Sequence, residues 1–132
     1  NNFLYVANVK SNDVSVFDTK NYKKITTIKV GKSPYAITFL QDGSKAFVTN
    51  QHENTISIID TLNKKNIKTL EIGEYPEGIN FYIKTKEVLI VNWFDSEVVV
   101  LNSMNLNIKK RITVGEGPRG FGNFIGPNLT KN

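Results

Sequence analysis

Short apolar runs separated by polar turns occupy nearly the whole of this 132-residue chain. They include Leu4-Tyr5-Val6-Ala7, Val14-Ser15-Val16-Phe17, Ile56-Ser57-Ile58-Ile59, Val88-Leu89-Ile90-Val91 and Val98-Val99-Val100-Leu101. Val, Ile, Phe and Tyr dominate the runs, while Gly, Pro, Asn and Asp bound them, as expected of strands. No window holds apolar residues at helical spacing over the roughly 11 residues a helix would need. The pattern predicts an all-β chain.

The pattern also repeats. Val6-Ala7-Asn8, Val48-Thr49-Asn50 and Ile90-Val91-Asn92 are spaced 50 − 8 = 42 and 92 − 50 = 42 residues apart. Gly31, Gly73 and Gly115 keep the interval, as do Pro34, Pro76 and Pro118, and Asp18, Asp60 and Asn102. A period near 42 fits several repeat architectures. Four short strands per unit, with no helix, select a β-propeller blade.

Each unit divides into strands at turn residues. The first opens on its second strand, Leu4–Ala7, followed by Val14–Phe17 and an outer strand over Ile25–Val30. The second is complete, with Ala36–Leu40 innermost, then Ala46–Thr49, Ile56–Ile59 and Ile67–Ile72; Asp42-Gly43 marks the first hairpin. The third runs from Gly78–Tyr82 through Val88–Val91 and Val98–Leu101 to Arg111–Val114. The last two inner runs are nearly continuous in apolar residues, as in strands covered on both faces. Blade boundaries fall at 3–31, 34–73 and 76–115. A lone innermost strand over 118–126 is able to complete the first blade, which lacks its own. Propellers have roughly four to eight blades, so three cannot close a ring. A second copy of the chain or additional blades must complete it, the latter being favoured. An open arc would leave apolar faces exposed at both ends.

Tyr5-Val6-Ala7-Asn8, Phe47-Val48-Thr49-Asn50, Thr55-Ile56-Ser57-Ile58-Ile59-Asp60-Thr61 and the Gly-x-x-Pro steps resemble the YVTN family of β-propeller repeats. The ending Phe121-Gly122-Asn123-Phe124-Ile125 is similar to that of YVTN-like chains. The resemblance implies a seven-bladed, single-chain bacterial propeller exported to the periplasm or cell surface. It does not imply one function, since one scaffold hosts many.

Composition narrows the chemistry. With no cysteine, disulfides, thiolate metal sites and Fe–S clusters are excluded. No apolar run approaches the ~20 residues of a membrane span, and no signal peptide opens the chain. The formal net charge is +5. Lys23-Lys24, Lys64-Lys65 and Lys109-Lys110-Arg111 recur at the start of each outer strand, where lysine discourages edge-to-edge association. No nucleic-acid-binding motif accompanies the charge.

Candidate site residues lie where the repeat breaks. The loops after the second strands carry unlike middles: Val9-Lys10-Ser11, Gln51-His52-Glu53 and Trp93-Phe94-Asp95. Their flanking Asn residues can bond loop backbone. The only Trp, Trp93, beside Phe94, either packs against the next blade or offers a stacking surface or partner anchor. His52, the only histidine, is either solvated or a haem or metal ligand. Lys10, Glu53, Asp95 and Arg119 complete the ligand-binding candidates on this rim. Glu77, grouped with the rim carboxylates, has Tyr35 and Arg119 as its repeat counterparts, so no ring of carboxylates arises. No Ser/His/Asp set or phosphate loop is present. Asn128-Leu129-Thr130 matches a glycosylation acceptor, a triplet common by chance.

The reading is a non-enzymatic, exported binding or scaffold propeller that presents rim loops to a protein, polymer or small ligand. No cofactor is predicted. One alternative is a cofactor-carrying or lactonase-like enzyme completed by other blades, with haem held through His52. Another is a surface-layer or adhesion module.

Overall fold

The computed structural model describes residues 2–130. Among them are eleven strands: β1 (Phe3–Asn8), β2 (Asp13–Asp18), β3 (Lys24–Lys29), β4 (Pro34–Phe39), β5 (Lys45–Asn50), β6 (Thr55–Asp60), β7 (Lys65–Glu71), β8 (Pro76–Tyr82), β9 (Glu87–Asn92), β10 (Glu97–Asn102) and β11 (Ile108–Thr113). They form three separate antiparallel sheets, β1-β2-β3, β4-β5-β6-β7 and β8-β9-β10-β11. Each sheet is one blade. No helix of the described residues is long and apolar enough to cross a membrane.

Period-two alternation decides what each blade touches. On β5, Ala46 and Val48 face the first blade, where they join Val14, Val16, Ile28 and Ile59 in one buried cluster. Phe47, between them, faces the third blade and packs with Ile56, Ile58, Ile79, Ile90, Val99 and Leu101. The second blade is thus covered on both faces. The third is covered fully on one face only, and Val98 and Leu89 are left half-buried on the other. Its continuous apolar run fits two-sided cover that these three blades do not supply. At the arc's two ends Leu4, Val6, Ile25, Ile108, Ile112 and Val114 are exposed.

Residues 118–130 form no strand. The closing innermost strand expected over 118–126 is therefore absent from the open arc. Its partner would be the free edge of β1, which is paired with β2 alone in the first blade. The segment is nonetheless seated beside β8. The Asn80 amide donates to the Gly122 carbonyl at 2.7 Å, and Phe121 lies against Tyr35 with ring centroids 5.9 Å apart.

The outer strands β3, β7 and β11 are sheet edges, and they carry the recurring basic residues. On β11 these are not free: Lys109 pairs with Glu87, and Arg111 with Glu97. The backbone repeats even where side chains do not. Asn12, Asn54 and Ser96 have φ of 60°, 60° and 51°, and Ser33, Tyr75 and Gly117 have φ of 55°, 58° and 60°. A shared irregularity of register follows Pro34 in β4 and Pro76 in β8. A bulge of this kind re-aims the side chains beside it.

Candidate functional site

The repeating asparagines build the loops from inside. Asn50 is fully buried and donates to Thr55 Oγ1 at 3.0 Å and Ser57 Oγ at 2.9 Å. Asn8 does the same toward Asp13 and Ser15, each at 2.8 Å. Asn92 donates to Glu97 at 3.0 Å and to the Ile72 carbonyl at 3.1 Å. The expected partners were loop backbone groups. Instead these amides mostly clamp side chains of the following strand, which face them across the hairpin. Gly73 makes room for this clamp: it has φ +134°, and a Cβ there would lie 2.2 Å from the Asn92 amide nitrogen.

Each loop is then tied to the step that enters its blade. The Gln51 amide donates to the Ser33 carbonyl, and the Trp93 amide to the Tyr75 carbonyl, each at 3.0 Å. The preceding blade holds the same step from the other side, with Asn54 Oδ1 accepting from the Tyr75 amide at 3.0 Å. Tyr75 therefore stands between the loop of the second blade and that of the third. Its ring meets His52 at 5.5 Å, Trp93 at 5.7 Å and Phe94 at 5.0 Å between centroids. Trp93 and Phe94 pack edge to face at 4.6 Å. The result is a continuous patch of three aromatic side chains and an imidazole. Tyr75 holds it while in the left-handed backbone region, which costs a non-Gly residue about 1–2 kcal/mol.

Polar groups line the patch on one side. The His52 Nδ1 is 2.8 Å from Ser33 Oγ. Arg119 lies over the indole of Trp93, its guanidinium carbon 5.7 Å from the centroid. Its Nε is also 3.7 Å from Glu77 Oε2. Glu77 is 2% exposed; Oε1 accepts from Gln51 Nε2 at 3.2 Å, while Oε2 has no hydrogen bond. Gln51 and Trp93 are repeat counterparts, as are Glu77 and Arg119. The Gln51–Glu77 bond and the Trp93–Arg119 contact are thus one blade-to-blade junction written twice, with different chemistry each time.

The candidate residues separate accordingly. His52, Trp93, Phe94 and Arg119 come together. The two readings of Trp93-Phe94 split between the residues. Trp93 is half-buried, its Nε1 3.1 Å from where a Gly117 Cβ would be, whereas Phe94 is 60% exposed. Glu53 turns away to accept from Thr55 Oγ1 at 3.2 Å, and Asp95 accepts from the Glu74 amide at 2.6 Å. Lys10 is exposed in the first blade's loop. Glu77, expected as a rim carboxylate, is buried because the bulge turns it inward against Gln51. Tyr75 and Gln51 escaped notice. The signal was available in the column Ser33, Tyr75, Gly117, which varies as freely as the loops.

Blades of four antiparallel strands, stepped by Gly-x-x-Pro and bearing their unlike residues on one rim, define an incomplete β-propeller. The chain belongs to the YNCE-like beta-propeller family, whose model matches residues 1–125. No curated protein matches the sequence. Among solved structures, Kuenenia stuttgartiensis hydrazine synthase is similar at a TM-score of 0.84 and 22% identity, over 89% of this chain and 34% of that one. Dihydro-heme d1 dehydrogenase NirN in complex with DHE is similar at 0.77 and 19%, over 89% and 26%. Apo AztD from Citrobacter koseri is similar at 0.69 and 13%, over 81% and 30%. At these identities the likeness is one of fold. The chain spans about a third or less of each.

Proposed function

We propose that this chain is a non-enzymatic binding propeller whose rim patch of His52, Tyr75, Trp93 and Phe94 receives a ring-bearing ligand. The observation that carries the reading is Phe94, a large apolar ring left exposed beside the half-buried Tyr75 and Trp93. Stacked and edge-to-face ring contacts contribute about 0.5–1.5 kcal/mol each beyond area burial. Arg119 and His52 supply the polar edge. Additional blades, or a second copy of the chain, complete the ring. Export to the periplasm or cell surface follows from the YVTN resemblance. The single Trp makes the test direct. Trp93 emission is titrated with benzoate, phenol, indole (read by difference) and glucose. Saturable quenching by one of them, lost in Phe94→Ala, supports the reading; no saturable change with any of them sinks it.

A second reading draws on one of the similar structures, a dihydro-heme d1 dehydrogenase. A cofactor-carrying propeller would hold haem through His52, whose Nδ1 is oriented by Ser33 and whose ring adjoins Tyr75. Such a hydrogen bond fixes the tautomer of a ligating imidazole. A lactonase-like metal site would need carboxylates from other blades, since no three His, Asp or Glu among the described residues converge on one point. Visible absorption and metal analysis separate the readings. A haem band abolished by His52→Ala would defeat the binding-module proposal.

A further inference from the structure

The third blade contains a side chain that its neighbour lacks. Arg111, on β11, donates to the Ile72 carbonyl at 3.1 Å and pairs with Glu97. Its guanidinium thereby fills the space between the step into the blade and the blade's own outer strands. Subtracting 42 maps these residues onto the second blade: Arg111 becomes Thr69, Ile72 becomes Val30 and Glu97 becomes Thr55. Thr69, Val30 and Thr55 all line one open cavity of about 510 Å³, with Gly31, Glu53, Asn66 and Glu71. The cavity is the place where the repeat geometry puts a guanidinium.

Its chemistry suits that group. Glu53 and Glu71 bring two carboxylates, and neither pairs with a basic residue among the described residues, whereas Asp13 in the first blade pairs with Lys29 and Glu97 in the third with Arg111. Asn66 Oδ1 is buried without a hydrogen-bond partner. An acceptor left unmatched in this way is unfavourable to bury. A planar cation with several donors meets carboxylate and carbonyl acceptors together, which a point-charge ammonium does less well. We propose that this cavity binds a guanidinium group from outside the chain, in the position that Arg111 occupies from within in the next blade.

The full chain, 15N-labelled, is titrated with methylguanidinium chloride and, at matched ionic strength, methylammonium chloride. The expected result is saturable shifts at the amides of Gly31, Thr55 and Thr69, with a dissociation constant on the order of 1–10 mM. Methylammonium should bind about tenfold more weakly. Thr69→Arg, which copies the third blade, should abolish the shifts by filling the cavity. Glu71→Gln, on the exposed edge strand, should weaken binding about tenfold, and it serves should Thr69→Arg fail to fold. Tighter binding of the peptide Ac-Gly-Arg-Gly-NH2 than of methylguanidinium assigns the site to a partner's side chain. Equal or weaker peptide binding assigns it to a free guanidinium compound. Unsaturable shifts, equal response to methylammonium, or binding unchanged in Thr69→Arg or Glu71→Gln overturns the proposal.

Discussion

Gly78→Ala should unseat the segment that follows the third blade. A Cβ on Gly78 would lie 1.9 Å from the Gly120 carbonyl oxygen, 2.9 Å from its carbon and 3.3 Å from its Cα. The obstruction is backbone, so no rotamer change relieves it. The two backbone segments must separate by roughly 1.5 Å to reach ordinary van der Waals distance. That movement breaks the Asn80–Gly122 hydrogen bond of 2.7 Å, a loss of about 1 kcal/mol. It also loosens Phe121 from Tyr35, about 0.5–1.5 kcal/mol. The expected destabilisation is therefore about 1.5–2.5 kcal/mol, within the range for overpacking. Gly126→Ala is the control, since nothing lies within 4 Å of its added Cβ, and it should stay within ~0.5 kcal/mol of the parent. Urea denaturation measures both, and amide shifts of Gly120–Ile125 report the displacement. If Gly78→Ala is as harmless as Gly126→Ala, the segment does not occupy the next innermost position and the reasoning fails.

Three further outcomes follow from named contacts. Tyr75→Gly should be about 1 kcal/mol more stable than Tyr75→Ala, reversing the usual order, because only the left-handed φ of 58° separates them; thermal melts decide it. Asn50→Ala should cost about 2–3 kcal/mol in urea, since it strips two hydrogen bonds from a fully buried loop. Asn8→Ala, half-buried, should cost less. Acid titration should reveal Asp13 and Glu87. The Asn8 amide chiefly, with Ser11 and Lys29, holds Asp13 below the usual carboxylate range, and Lys109 with Thr85 does so for Glu87. Both bind their proton more weakly folded than unfolded. Their stabilisation is complete above the ordinary carboxylate pKa of about 4 and is lost as pH falls through the lower folded values. Asp13→Asn with Glu87→Gln should flatten stability across that acid window; an unchanged slope would refute the assignment.

The fold was legible because its determinants are local and recur. Strand periodicity, the Asp-Gly turn and the Gly-x-x-Pro steps are each written in adjacent residues, and three copies in register remove ambiguity. The loops were legible as the place of variation, which singled out His52, Trp93 and Phe94, with Arg119 added from a blade step. Their mutual arrangement was not. Tyr75 joins them through a contact between successive blades, and its step looked like punctuation. Glu77 was misplaced for a related reason: the bulge after Pro76 turns it inward, and a one-residue change of register reverses a side chain. The missing strand over 118–126 marks a third boundary. Its sequence is that of a strand, but a strand needs a partner edge, and the free edge of β1 belongs to the first blade, at the other end of the open arc.

The most direct test of the account asks whether binding occurs where the repeat breaks. A residue-resolved NMR map of the quenching ligand found with Trp93 should place the largest shifts at His52, Tyr75, Trp93, Phe94 and Arg119, with the repeating Asn8, Asn50 and Asn92 little moved. Shifts centred instead on the outer strands or the repeating positions, or intact binding in Phe94→Ala, would contradict it.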